Sequence, residues 1–89
     1  MRDTWTLELT PRILKQLKKM DKPVAQRVLD ELEKLELSEY PQEHCKALTG
    51  NYSGLWRYRM GSYRVILDID QGTLVLLALE VGHRSSIYR

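Results

Sequence analysis

At 89 residues, with 43% hydrophobic and 29% charged side chains, the chain has room for a single domain, residues 1–89, around one core, and its composition excludes a disordered or repeat protein. A formal net charge of +2 carries no nucleic-acid signal in itself, and a lone cysteine excludes an internal disulfide. The apolar runs are too short to span a bilayer and MRDTWTLELT lacks the apolar core of a secretory signal, so a cytoplasmic protein without a membrane partner is expected.

Trp5, Leu7 and Leu9 alternate with Thr6 and Glu8, the pattern of a half-buried strand. Thr10-Pro11 then supplies an N-cap and a proline at the first helical position. Ile13, Leu14, Leu17 and Met20 recur at helical spacing, while Arg12, Lys15, Lys18 and Lys19 fill the other face. A helix of about three turns is predicted. Asp21 and Pro23 repeat the cap-then-proline signal, and Val24, Ala25, Val28, Leu29, Leu32 and Leu35 carry an apolar stripe to about Leu37. The two helices form a hairpin with one shared apolar side.

Residues 38–53 break the period at Pro41 and Gly50 and read as a loop crossing back over the molecule. His44 and Cys45 stand without the second cluster that a zinc site needs, and Cys45 reads as a small, partly buried residue. Three strands follow, about 54–60, 62–70 and 73–81, joined at Gly61-Ser62 and Gln71-Gly72, before a tail GHRSSIYR. The predicted fold class is α+β: a strand, a two-helix hairpin, then a three-stranded antiparallel meander, in two layers. The last two strands are apolar on both faces for much of their length. The helices can cover only one face, leaving the other as a partner surface or a concave floor ringed by polar groups.

Charge is unevenly distributed along this frame. Residues 30–43 hold six acids against Lys34, whereas residues 51–89 hold five arginines against Asp68, Asp70 and Glu80. Within the stretch LWRYRMGSYRV, a two-residue loop at Gly61-Ser62 pairs Met60 with Tyr63 and sets Arg59 directly opposite Arg64, with Arg57 further along the same face. Trp56 and Tyr58 alternate with these arginines and face the core. Like charges opposed across a ladder cost stability, so the arrangement implies an anion to be held there.

The "KAL-x-G" loop (Lys46, Ala47, Leu48, Gly50), the hairpin GLWRYRMGSYRVILDID and the ending VGHRSSIYR resemble the RelE/ParE superfamily of bacterial toxins, in particular its RelE branch. The resemblance runs from Trp5 to Arg89. It implies a ribosome-dependent endoribonuclease that cuts messenger RNA in the ribosomal A site. It also implies a cognate RelB-like antitoxin encoded in the adjacent gene, and contact with operator DNA only through the antitoxin complex. The basic positions of the family fall on Arg57 and Arg59, where lysines are common, and on Arg64; its tail arginine and terminal tyrosine fall on Arg84 and Tyr88. Lys46, His83 and Arg89 are the candidate RNA contacts. The ParE branch, which poisons DNA gyrase, shares the fold but usually lacks this full set.

RNA cleavage by its own 2′-hydroxyl needs a base, positive charge around the phosphorane and an acid for the 5′-oxygen, with no metal or other cofactor. Arginine stays protonated below about pH 12, which makes Arg57, Arg59 and Arg64 charge stabilisers and phosphate clamps, and Arg84 at most an aid to the leaving group. Tyr88, with a reference pKa of about 10 that neighbouring guanidinium groups would lower, is the better candidate base. His83 is the rival. Two other readings stand beside the nuclease: a non-enzymatic inhibitor of gyrase on the same fold, and a plain nucleic-acid-binding module.

Overall fold

The structure, a computed structural model, describes residues 4–83. Strand β1 (Thr6–Leu9) leads through Thr10 into helix α1 (Pro11–Lys19), and α2 (Lys22–Leu37) follows after a two-residue turn. Thr10 makes the junction. Its N–H donates to the Ala78 carbonyl, its hydroxyl donates to the Leu79 carbonyl at 2.8 Å, and the same oxygen accepts the Ile13 N–H as the predicted cap. Asp21 occupies the N-cap of α2, but its side chain makes no capping bond.

The remaining strands are β2 (Lys46–Ala47), β3 (Trp56–Met60), β4 (Tyr63–Asp70) and β5 (Val75–His83), and the sheet order is β1-β5-β4-β3-β2. The α+β prediction holds, with the meander antiparallel and β1 added parallel to β5 at the far edge. Two details depart from the sequence reading. The segment 38–53 contains 3-10 helices at Pro41–His44 and Gly50–Tyr52, and between them the two-residue edge strand β2, which is too short for any alternation to betray. The β4–β5 connection spans residues 71–74 rather than Gln71-Gly72 alone. Asp70 Oδ1 accepts the N–H groups of Gly72 and Thr73, and Leu74 takes a left-handed φ of 56°, so β5 starts at Val75.

One core lies between helices and sheet. Ile13 and Leu17 of α1 and Val28, Leu32 and Leu35 of α2 meet Met60, Val65, Leu67, Leu76, Ala78 and Val81 of the sheet. Truncating Leu32, which is fully buried, to Ala would cost roughly 2–5 kcal/mol. Trp56 and Tyr58 pack against this cluster as predicted. The outer edge of β1 is tied to α2: the Leu7 N–H donates to Glu36 Oε2 at 2.6 Å, and the Trp5 indole N–H donates to the Glu39 carbonyl. Among the described residues no helix is long and apolar enough to cross a membrane.

Candidate nucleic-acid interface

The hairpin turn sets the geometry of the outer sheet face. Gly61 has φ +62°, as the first central position of a type II′ turn requires, and the resulting register pairs Met60 with Tyr63 and Arg59 with Arg64. Arg57 pairs with Ile66 on one side and with Lys46 of β2 on the other. Lys46, Arg57, Arg59 and Arg64 therefore project from one face, opposite to the core.

Lys46, Arg57 and Arg64 line a recess of about 430 Å³ together with Ala47, Leu48, Thr49 and Tyr52. Arg59, exposed, stands on the same face directly opposite Arg64. The Nε of Arg57 is shielded from solvent and has no hydrogen-bond partner among the described residues. A buried guanidinium nitrogen without an acceptor, facing a lysine across the ladder, is a site short of negative charge. Ile66, 1% exposed, stands apart from the core cluster and lies between Arg57 and Glu80 in register. It is an apolar side chain of the outer face, flanked by the long side chains of Arg57 and Glu80.

Glu80 and His83 are placed by a β-bulge. Ile66 pairs with Glu80 but Leu67 pairs with Ala78, which leaves Leu79 as the extra residue of β5. Without it, alternation from Leu76 and Ala78 would send Glu80 to the core and His83 to the arginine face. With it, Val81 enters the core, Glu80 joins the outer face, and His83 lies opposite Tyr63. The His83 ring meets that of Tyr63 edge-on at 5.6 Å, on the α2 side of the sheet. The structure thus does not bring His83 to the recess that gathers Lys46, Arg57 and Arg64. Arg84, Tyr88 and Arg89 lie outside the described residues.

Sequence reasoning did not single out Tyr52 or Thr49 for this recess. The signal was Gly50, whose φ of +66° turns the chain into the short helix that carries Tyr52 beside Arg57 and Arg64. Two other titratable groups fall away from the site. Burial pushes the Cys45 thiol up to about 11, which keeps it protonated and unreactive at neutral pH. Tyr58, on the core side, is pushed up to about 12 by burial and by the Glu31 carboxylate that its hydroxyl bonds at 3.2 Å. Glu31 is lowered in turn, first by its contact with Lys34 at 3.1 Å. Among the described residues no group of three His, Cys, Asp or Glu side chains gathers as a metal site would require.

A family model described as the ParE toxin of the type II toxin-antitoxin system, parDE, matches residues 7–88. Among solved structures, the chain is similar to the RelBE2 toxin-antitoxin complex of Mycobacterium tuberculosis, at 27% identity and a TM-score of 0.80, covering 92% of this chain and 100% of that one. It is similar also to the archaeal RelE-RelB complex of Pyrococcus horikoshii, at 27% identity and a TM-score of 0.75, covering 94% and 99% of the two chains. A free mutant of Escherichia coli RelE shares the fold at 18% identity, with a TM-score of 0.73 and coverage of 96% and 88%. No match is found among curated protein sequences.

Proposed function

This chain belongs to the ParE toxin family of type II toxin-antitoxin systems and has a RelE-like fold, and from that premise we propose that it is a ribosome-dependent endoribonuclease that cuts messenger RNA in the A site. The observation that carries this reading is the recess in which Lys46, Arg57 and Arg64 converge, with Arg59 beside them and the Arg57 Nε left without an acceptor. A phosphodiester is the anion that fits such a fork-shaped set of donors.

The cationic side chains hold the scissile phosphate and stabilise the charge that builds as the 2′-oxygen attacks phosphorus and the 5′-oxygen departs. The 2′-proton goes to a base and a proton is returned to the 5′-oxygen; in this reading Tyr88 is the base and Arg84 assists the leaving group. The ribosome supplies the substrate orientation that so few residues do not supply alone. A RelB-like antitoxin from the adjacent gene would silence the toxin in the cytoplasm, and operator DNA would be met only through that complex. The RelBE2 and RelE-RelB complexes that share this architecture support such a partner.

The ParE family model favours one other reading, inhibition of DNA gyrase without cleavage. Induced expression separates the two. Messengers cut within codons on stalled ribosomes are expected; DNA damage and filamentation with intact messengers would refute the nuclease. Tyr88→Phe should then abolish cutting while ribosome and antitoxin binding persist, and near-wild-type cutting by it, with inactive His83→Gln, would transfer the base to the histidine.

A further inference from the structure

A second concentration of positive charge lies outside the recess. Helix α1 carries Arg12, Lys15, Lys18 and Lys19, all exposed, and has no acid in its first turn. The helix dipole accounts for Lys18 and Lys19 in the last turn. It opposes Arg12 and Lys15 near the N-terminus, and their i, i+3 spacing, with Lys19 at i+4 from Lys15, adds mutual repulsion. Helical spacing places Arg12, Lys15 and Lys19 in one stripe, which lines a shallow recess of about 380 Å³ with Pro11 and Gln16.

This stripe adjoins the arginine face. Arg12 Nη2 lies 3.3 Å from Glu80 Oε1, and Glu80 is the neighbour of Ile66, itself the neighbour of Arg57. From β3 to β5 is about 10 Å, two strand spacings. The carboxylate that would repel a polyanion midway is the one that Arg12 neutralises. By contrast, α2 exposes Asp30 and Glu33 and leads to the exposed Glu39 and Glu43.

We infer that the Arg12–Lys15–Lys19 stripe of α1 is a second RNA-backbone contact, continuous through the Arg12–Glu80 pair with the recess around Arg57 and Arg64. The inference rests on the ribonuclease reading for its ligand class. The phosphates are those of single-stranded message flanking the cut, since the stripe lies only about two strand spacings from Arg57.

The test compares wild type with Lys15→Ala/Lys19→Ala, both substitutions favouring the helix, and with Lys34→Ala on α2 as a charge control. Anisotropy of a fluorescent single-stranded RNA oligonucleotide is followed across salt concentration, and KM and kcat are measured on programmed ribosomes. The double variant should bind about tenfold more weakly, its salt slope falling by about 1.4 from two lost phosphate contacts, with KM raised and kcat retained. Lys34→Ala should match wild type. Weakening with the free oligonucleotide bears out contact with message, whereas weakening with ribosomes alone would give the stripe to folded ribosomal RNA and overturn the inference.

Unchanged affinity, slope and KM in the double variant, with wild type cutting message, would overturn the stripe and leave the ribonuclease reading standing. A reduced slope in the variant, with wild type cutting nothing, would sustain the stripe and overturn the ribonuclease. Loss of antitoxin binding with RNA binding unaltered would give the surface to an acidic protein partner and overturn the inference, as would a wild type that binds neither oligonucleotide nor ribosome.

Discussion

Arg57→Met isolates the electrostatic cost built into the outer face. Methionine keeps much of the unbranched stem that flanks Ile66 while removing the guanidinium. The shielded Nε of Arg57 has no acceptor, and an unsatisfied buried donor costs roughly 1–3 kcal/mol. Lys46 stands directly opposite, adding a few tenths of a kcal/mol of repulsion by the cross-strand rule. Because the side chain is only half-buried, the lower end applies, and the variant should be more stable by about 1 kcal/mol. For a domain of this size that raises Tm by roughly 4–8 °C, readable by circular dichroism. Saturating RNA oligonucleotide should reverse the order: ligand at a hundredfold its Kd adds about 2.7 kcal/mol to wild type, more than the difference of about 1 kcal/mol, and little to the variant. Cleavage should drop by about a hundredfold, as for a lost electrostatic donor. A variant less stable than wild type without ligand would mean that Arg57 is a structural residue whose guanidinium stabilises the free fold.

Arg59→Ala should lower cleavage similarly while leaving the fold unchanged or stabilised by a few tenths of a kcal/mol, since Arg59 is exposed and faces Arg64; unfolding at ordinary temperature would contradict this. Tyr58→Phe removes the bond to Glu31 and should cost about 1 kcal/mol near neutral pH. The sign with pH follows from a folded-state pKa raised above that of the unfolded chain: the Tyr58 contribution is whole below about pH 10 and vanishes as pH climbs through about 12, so the stabilities of wild type and Tyr58→Phe should converge over that window in urea melts. Gly61→Val forces a β-branched residue to φ +62° and should cost roughly 1–2 kcal/mol, with Gly61→Asn milder; there is room for a Cβ, whose nearest neighbour is Arg27 Nη2 at 3.8 Å, so equal melting of Val and Gly forms would refute a backbone origin.

The cationic face was legible because one local rule determines it. Once Gly61-Ser62 is read as a two-residue turn, the opposition of Arg59 and Arg64 follows from strand periodicity alone. The helices were legible for the same reason: Thr10-Pro11 announces α1, and apolar positions recur every three or four residues to Leu37. What stayed hidden depends on single residues without local signatures. Leu79 looks like any other member of an apolar run, yet its insertion reverses the faces of Glu80 and His83. Strand β2 exists only because β3 offers it an edge, and Lys46 and Ala47 carry no pattern of their own. Tyr52 enters the recess through the turn after Gly50, a three-dimensional consequence that a reading of residues 38–53 as loop does not contain.

The bond from the Leu7 N–H to Glu36 bears on how the chain behaves in a crowd. An edge strand normally offers a template on which a neighbouring chain can lay down another strand, and then another. Here a donor on that edge is already engaged by a carboxylate, and the Trp5 indole fastens the segment to the chain just beyond α2. The charge of Glu36 would meet any incoming backbone carbonyl as a rival acceptor. At the opposite margin, Lys46 and Ala47 are too few to seed a long ladder. Encounters between copies are thereby steered away from open-ended growth into fibres.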